Sequence, residues 1–253
     1  MAVRSTKRWV IVSLVSLALT AAACSTGPPG APPPSLGTVE TRVIPASVAN
    51  LPLTNQDGST VTLASLQGKI VMLVPFLTLC SDVCPLTTGN LLQVEGALAR
   101  DDVASKVQVV ELSVDPDRDT TGRLAAYARL TGASWDLVTE SDADLARIAT
   151  FFGFTFQKVP QDSPPAVDWL TGKPLTYDIN HSDGYVLIDQ HGRERFSTGA
   201  SPDFHGTLNP TLQTFLSDLG RQHLAHPQHP GWNPSAALQS LSWMLGTTLV
   251  LPN

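Results

Sequence analysis

The stretch Ile70-Val71-Met72-Leu73-Val74-Pro75-Phe76, followed by Leu77-Thr78-Leu79-Cys80-Ser81-Asp82-Val83-Cys84-Pro85, decides the reading of the fold. A continuous apolar run after Gly68-Lys69 suits a strand buried on both faces. Over 85–100 the apolar residues Leu91, Leu92, Val94 and Leu98 then fall at helical spacing. Downstream, 107–114 reads as a second strand, and Asp119-Thr120 opens a helix reaching Leu130. A short strand over 135–139 and a helix capped at Ser141-Asp142 and ending near Phe152 follow. Tyr185-Val186-Leu187-Ile188 is a strand, Gln190-His191-Gly192 its turn, and 195–197 the return strand. Asn209-Pro210 starts a last helix running to about His223. Upstream, 51–63 reads as a hairpin turning at Asp57-Gly58. This order predicts an α/β fold: a mostly parallel central sheet flanked by helices, with an N-terminal hairpin and an antiparallel edge.

The ends read differently. Arg4, Lys7 and Arg8 precede an apolar segment over 9–19, and Ala21-Ala22-Ala23 stands directly before Cys24. Residues 1–23 read as a secretory signal peptide of lipoprotein type, with Cys24 acylated and the protein held by lipid on the extracytoplasmic side of a bacterial cell membrane. Ala21 replaces the usual Leu of such signals, so a plain cleaved signal or an uncleaved anchor fits the same residues. Residues 24–47, with Pro28-Pro29 and Pro32-Pro33-Pro34, read as a flexible spacer, 48–225 as the folded domain, and 226–253 as a C-terminal extension.

Composition excludes several classes. The 253 residues are 42% hydrophobic, enough to build a core, and carry a formal charge of −6. Loss of the three signal-peptide cations takes that to about −9, which is no field for a nucleic acid. No GxSxG or HExxH supports hydrolase chemistry.

With Cys24 lipidated, Cys80 and Cys84 remain. A loop of three residues removes little chain entropy, so the pair is chemical rather than structural. It falls at the carboxyl end of a buried strand, where α/β sheets build sites. Pro85 disfavours helical geometry at Cys84, placing Cys80 in the loop and Cys84 at the helix cap. A reversible disulfide and a dithiolate metal site are both open to that arrangement. The helix N-terminus is expected to lower both thiol pKa values. His181, just before the 185–188 strand, is the candidate third ligand, and thiolates with imidazole suit Cu(I) or Zn(II).

The element order is that expected of a thioredoxin-like domain. At Cys80-Ser81-Asp82-Val83-Cys84-Pro85, Ser113-Val114-Asp115-Pro116-Asp117-Arg118-Asp119-Thr120 and Tyr177-Asp178-Ile179-Asn180-His181-Ser182, the sequence resembles the Sco/SenC family. The resemblance spans about 48–222. It implies copper held by Cys80, Cys84 and His181. It also implies service to the copper-centre subunit of cytochrome c oxidase, as copper donor, as reductase of that centre's cysteines, or both. An extracytoplasmic thiol–disulfide oxidoreductase using Cys80 and Cys84 without obligatory metal is the alternative; it needs only the thiols.

Other residues carry two readings each. Asp115 and Asp119 form either a turn and a helix cap or carboxylates that orient the site, and Asp82 either tunes charge, contacts a partner or is solvated. The loop over 157–175, with Trp169, leads towards His181 and is a candidate lid. His223, His226 and His229 form either an auxiliary metal patch or a Pro-broken linker. Leu238, Leu241 and Leu245 fall at helical spacing in a segment that docks on the domain, on the membrane or on a partner.

Overall fold

The computed structural model describes residues 28–227 and 231–251. The first half of the chain forms β1 (Thr38–Val43), α1 (Ala46–Ala49), β2 (Leu53–Asn55), β3 (Thr60–Val61), β4 (Ile70–Phe76), α2 (Cys84–Arg100) and β5 (Val107–Ser113). Next come α3 (Thr121–Thr131), β6 (Asp136–Thr139), α4 (Asp142–Phe152), β7 (Phe156–Val159), β8 (Asp178–His181), β9 (Tyr185–Ile188) and β10 (Arg193–Thr198). The chain ends with β11 (Ser201–Pro202), α5 (Pro210–Phe215), α6 (Asp218–Ala225), β12 (Gly231–Trp232) and α7 (Pro234–Leu245).

Eight strands form the main sheet in the order β1-β10-β9-β4-β5-β6-β2-β3. The apolar run is its central strand: every residue of β4 is buried. Pro75 has no N–H to give a ladder, and the β4–β9 pairing stops short of it, spanning Val71 to Leu73. The sheet is parallel only at its centre, in β4–β5 and β5–β6. All its other pairings are antiparallel: β2–β3 and β9–β10 are hairpins, and β1–β10, β4–β9 and β2–β6 join strands distant in sequence. The expected mostly parallel sheet is thus corrected to a mixed one. The caps follow the sequence reading: Ser141 accepts from the Asp144 N–H and Thr120, rather than Asp119, from the Arg123 N–H.

Two boundaries move. β1 lies within the stretch read as spacer and forms the sheet edge against β10, so the folded part begins near Thr38 rather than residue 48. The extension belongs to the core: Trp232, Leu238 and Leu241 are buried, and Ser240 Oγ lies 3.3 Å from the Tyr185 hydroxyl under β9. Residues 1–23, read as a signal peptide, and Cys24 lie outside the described residues, as does His229. Among the described residues no helix is long and apolar enough to cross a membrane.

Candidate metal centre

The β4 and β5 strands run side by side and end at the same edge of the sheet, so the loops after them touch. The loop after β4 carries Cys80; Cys84 is the first residue of α2. Asp119, in the loop after β5, is fully buried and grips the first loop from inside. It accepts from the Thr78 hydroxyl (2.5 Å), the Thr78 N–H (3.2 Å) and the Ser113 hydroxyl (2.7 Å). Asp119 is therefore a brace for the Cys loop, not a helix cap. Asp115 works one step further out. It accepts from Arg118 and from the Tyr177 hydroxyl (2.9 Å), and Arg118 lies 3.7 Å over the Tyr177 ring and donates to the Tyr177 carbonyl. That network anchors the start of β8, whose last residue is His181.

Cys80, Cys84 and His181 come together, with one candidate ligand atom of each lying within 4.8 Å of the other two. The Cys84 N–H donates to Cys80 Sγ at 3.4 Å, and Cys84 Sγ lies 3.6 Å from His181 Nε2. Nδ1 of His181 faces the Ser182 carbonyl at 2.9 Å. A carbonyl only accepts, so Nδ1 carries the proton and Nε2 is the nitrogen turned to the sulfurs. That is the tautomer a metal-ligating imidazole needs.

The two thiols are electrostatically unlike. The hydrogen bond from the Cys84 thiol, with His181 beside it, pulls the Cys80 pKa well below that of an ordinary thiol. Burial, then the neighbouring Cys80 sulfur, pushes the Cys84 thiol up. The expectation that both thiol pKa values are lowered is corrected at Cys84: it is 1% exposed, and its desolvation raises it. Burial disfavours a charged His181, but the Cys80 sulfur overrides it and raises the imidazole to about 9. These shifts favour charge on Cys80 and His181 and a proton on Cys84, and the three converging atoms are a donor set that suits a soft cation.

Sequence reasoning missed Asp183, partly buried two residues after His181. It accepts from the Ser201 hydroxyl at 2.6 Å, and burial raises its pKa. Gly184, the next residue, has φ +87°, and a Cβ there would meet the Thr198 carbonyl oxygen at 1.9 Å, so only glycine makes this turn into β9. The loop over 157–175 is partly regular, since β7 pairs with β8 and sets Phe156 opposite His181. Its Trp169 packs it down: the indole N–H donates to the Thr78 carbonyl at 2.8 Å, and Asp168 takes both arms of Arg123 at 2.7–2.8 Å. Trp169 and Phe215 wall a cleft of about 80 Å³ beside Cys80. Asp82 accepts from the Ser217 hydroxyl. His223 lies in α6 and His226 caps it; neither joins a ligand cluster among the described residues.

A thioredoxin-like domain with a Cys-x-x-x-Cys loop and a converging histidine is the class this architecture defines. The model of the SCO1/SenC family matches residues 45–203, and the chain belongs to that family. It is similar to a SCO1 protein homolog of Bacillus subtilis, 23% identical over 169 residues that cover 65% of this chain and 77% of the relative. A protein of Stutzerimonas stutzeri named "putative copper-binding protein" is 26% identical over 149 residues, covering 59% of this chain and 67% of the relative. Among solved structures, Arabidopsis thaliana ScoI with copper bound aligns with a TM-score of 0.50 and 23% identity over 59% of this chain and 85% of that one, a likeness of fold.

Proposed function

We propose that the chain binds one copper ion through Cys80, Cys84 and His181. In this reading it serves cytochrome c oxidase assembly by delivering copper to the dinuclear copper centre or keeping that centre's cysteines reduced. One observation carries the reading: the three ligand atoms lie within 4.8 Å of one another, with His181 Nε2 free of its backbone bond. Two sulfurs and an imidazole favour Cu(I), and the named activity of the Stutzerimonas relative points the same way. The copper-centre subunit is the partner proposed on family grounds. A lipid on Cys24 is proposed to hold the domain on the extracytoplasmic side of the membrane, with the Pro-rich residues before Thr38 as spacer.

The full chain, purified in detergent and reduced, is titrated with Cu(I) against a competing chelator beside His181→Ala. One tightly bound ion, with affinity weakened at least about a hundredfold in the variant, is the expected result. Equal and weak binding by both would remove His181 as a ligand.

The asymmetric thiols favour a second reading, a thiol–disulfide reductase. Cys80 thiolate attacks a partner disulfide and releases one partner thiolate. Cys84, once deprotonated, then attacks Cys80 in the mixed disulfide, freeing the second thiolate and leaving Cys80–Cys84 oxidised. Activity retained in His181→Ala would move this reading to first place.

A further inference from the structure

The Cys loop is also held from outside, by residues beyond the 45–203 matched to the family. The helix expected over 209–223 breaks at Leu216 and Ser217, and the break turns Ser217 onto the loop. The Ser217 N–H donates to the Ser81 carbonyl at 2.8 Å. Its hydroxyl donates to Asp82 Oδ1 at 2.5 Å and accepts from the Gly220 N–H at 3.0 Å, capping α6. Gly220 is buried inside α6, where glycine is a poorer helix former than alanine. Space explains it: a Cβ there would lie 2.4 Å from the Ser81 carbonyl oxygen and 3.0 Å from that of Asp82. The first turn of α6 thus presses against the two residues that follow Cys80.

We propose that Ser217 and Gly220 are positioning residues for the metal centre. By fixing Ser81 and Asp82 they set the separation and aim of the Cys80 and Cys84 sulfurs, so that both meet one ion together with His181. The inference rests on the copper reading. Free loop residues would let the sulfurs part, and a chelating pair loses affinity steeply when its members are not pre-placed.

The test is Cu(I) affinity of the full chain in detergent, by chelator competition, together with the copper–thiolate absorption of the Cu(II) form. Gly220→Ala must push the Ser81 carbonyl aside and is expected to weaken Cu(I) about tenfold and shift the absorption band. Ser217→Ala is expected to act in the same direction, and Ser217→Thr, which keeps the hydroxyl, to restore both readouts. Leu219→Ala, an exposed neighbour on α6, serves as control and is expected to leave both unchanged. Should Gly220→Ala fail to fold, Ser217→Ala beside Ser217→Thr decides alone. Folded Ser217→Ala protein with wild-type affinity and spectrum overturns the clamp while leaving the copper site standing. A wild-type chain that binds no Cu(I) overturns the copper reading and the clamp with it.

Discussion

One loop is braced on two sides by opposite means. On the inside, Asp119 places a buried carboxylate under Thr78 and Ser113. On the outside, α6 lays a glycine and a serine cap against Ser81 and Asp82. The inner brace is ionisable and costly to desolvate: burial, first among its influences, raises Asp119 to about 6. The outer brace depends on close backbone approach and neutral donors. The difference teaches that the inside should answer to charge and pH, and the outside to added volume at Gly220 or loss of the uncharged Ser217 hydroxyl.

The largest effect is expected inside. Asp119→Ala strands the Thr78 N–H, the Thr78 hydroxyl and the Ser113 hydroxyl in a buried place. Three such losses together are expected to destabilise the apo chain by about 4 kcal/mol, read from urea denaturation. Asp119→Asn keeps one acceptor and should lose about half as much. Equal stability of Asp119→Ala and wild type would break the contrast, because the inner brace would then be dispensable.

The next effect sharpens the contrast from the side. Arg123 and Asp168 form a two-armed buried pair that fastens the loop carrying Trp169, and Asp168 is held well below the usual carboxylate range chiefly by Arg123. Arg123→Ala leaves the carboxylate with only the loop's own donors, at an expected cost of about 3 kcal/mol. Limited proteolysis should then cut near Val167, which is already 61% exposed, before it cuts α6. Cleavage first in α6 would mean that the two outer straps act as one.

What was legible in the sequence follows the same division between burial and exposure. β4 was legible because all its residues are apolar and buried, and the caps at Thr120 and Ser141 because their chemistry is local. Cys80, Cys84 and His181 were legible through motif spacing and topology, and they do converge. β1 was not: its residues are almost all exposed, so it is held by backbone pairing to β10 and sends no apolar signal from beside a Pro-rich stretch. β7 was missed for the same reason, being an exposed ribbon on β8. The break at Leu216 and Ser217 was invisible because its cause lies 135 residues away, at Asp82. The Cys84 thiol was misjudged because the helix field is readable from sequence and the depth of burial is not.

The smallest effect is the share of the pH dependence that a buried carboxylate carries on the inner side. Glu111 lies under the same floor, fully buried, taking the Trp135 indole N–H at 2.9 Å and the Thr88 hydroxyl at 3.4 Å. Burial raises its pKa from 4.5 to about 7, against those hydrogen bonds and with help from Asp119. Between those two values the folded chain holds a proton that the unfolded chain has lost. The stabilisation that Glu111 contributes is therefore fully present below about pH 4.5 and is lost as pH rises through 7. Asp119 titrates in the same direction over a lower range. Between pH 5 and pH 7 the Glu111 part is on the order of 2 kcal/mol. Glu111→Gln keeps an acceptor for Trp135 and has no proton to lose, so its urea midpoint should fall less over that interval than that of the wild type. Gly220→Ala adds volume against backbone carbonyls and touches no titrating side chain, so its midpoint should run parallel to the wild-type curve, displaced by a constant. A Glu111→Gln profile as steep as the wild type's would place the titration elsewhere and remove the electrostatic half of the contrast.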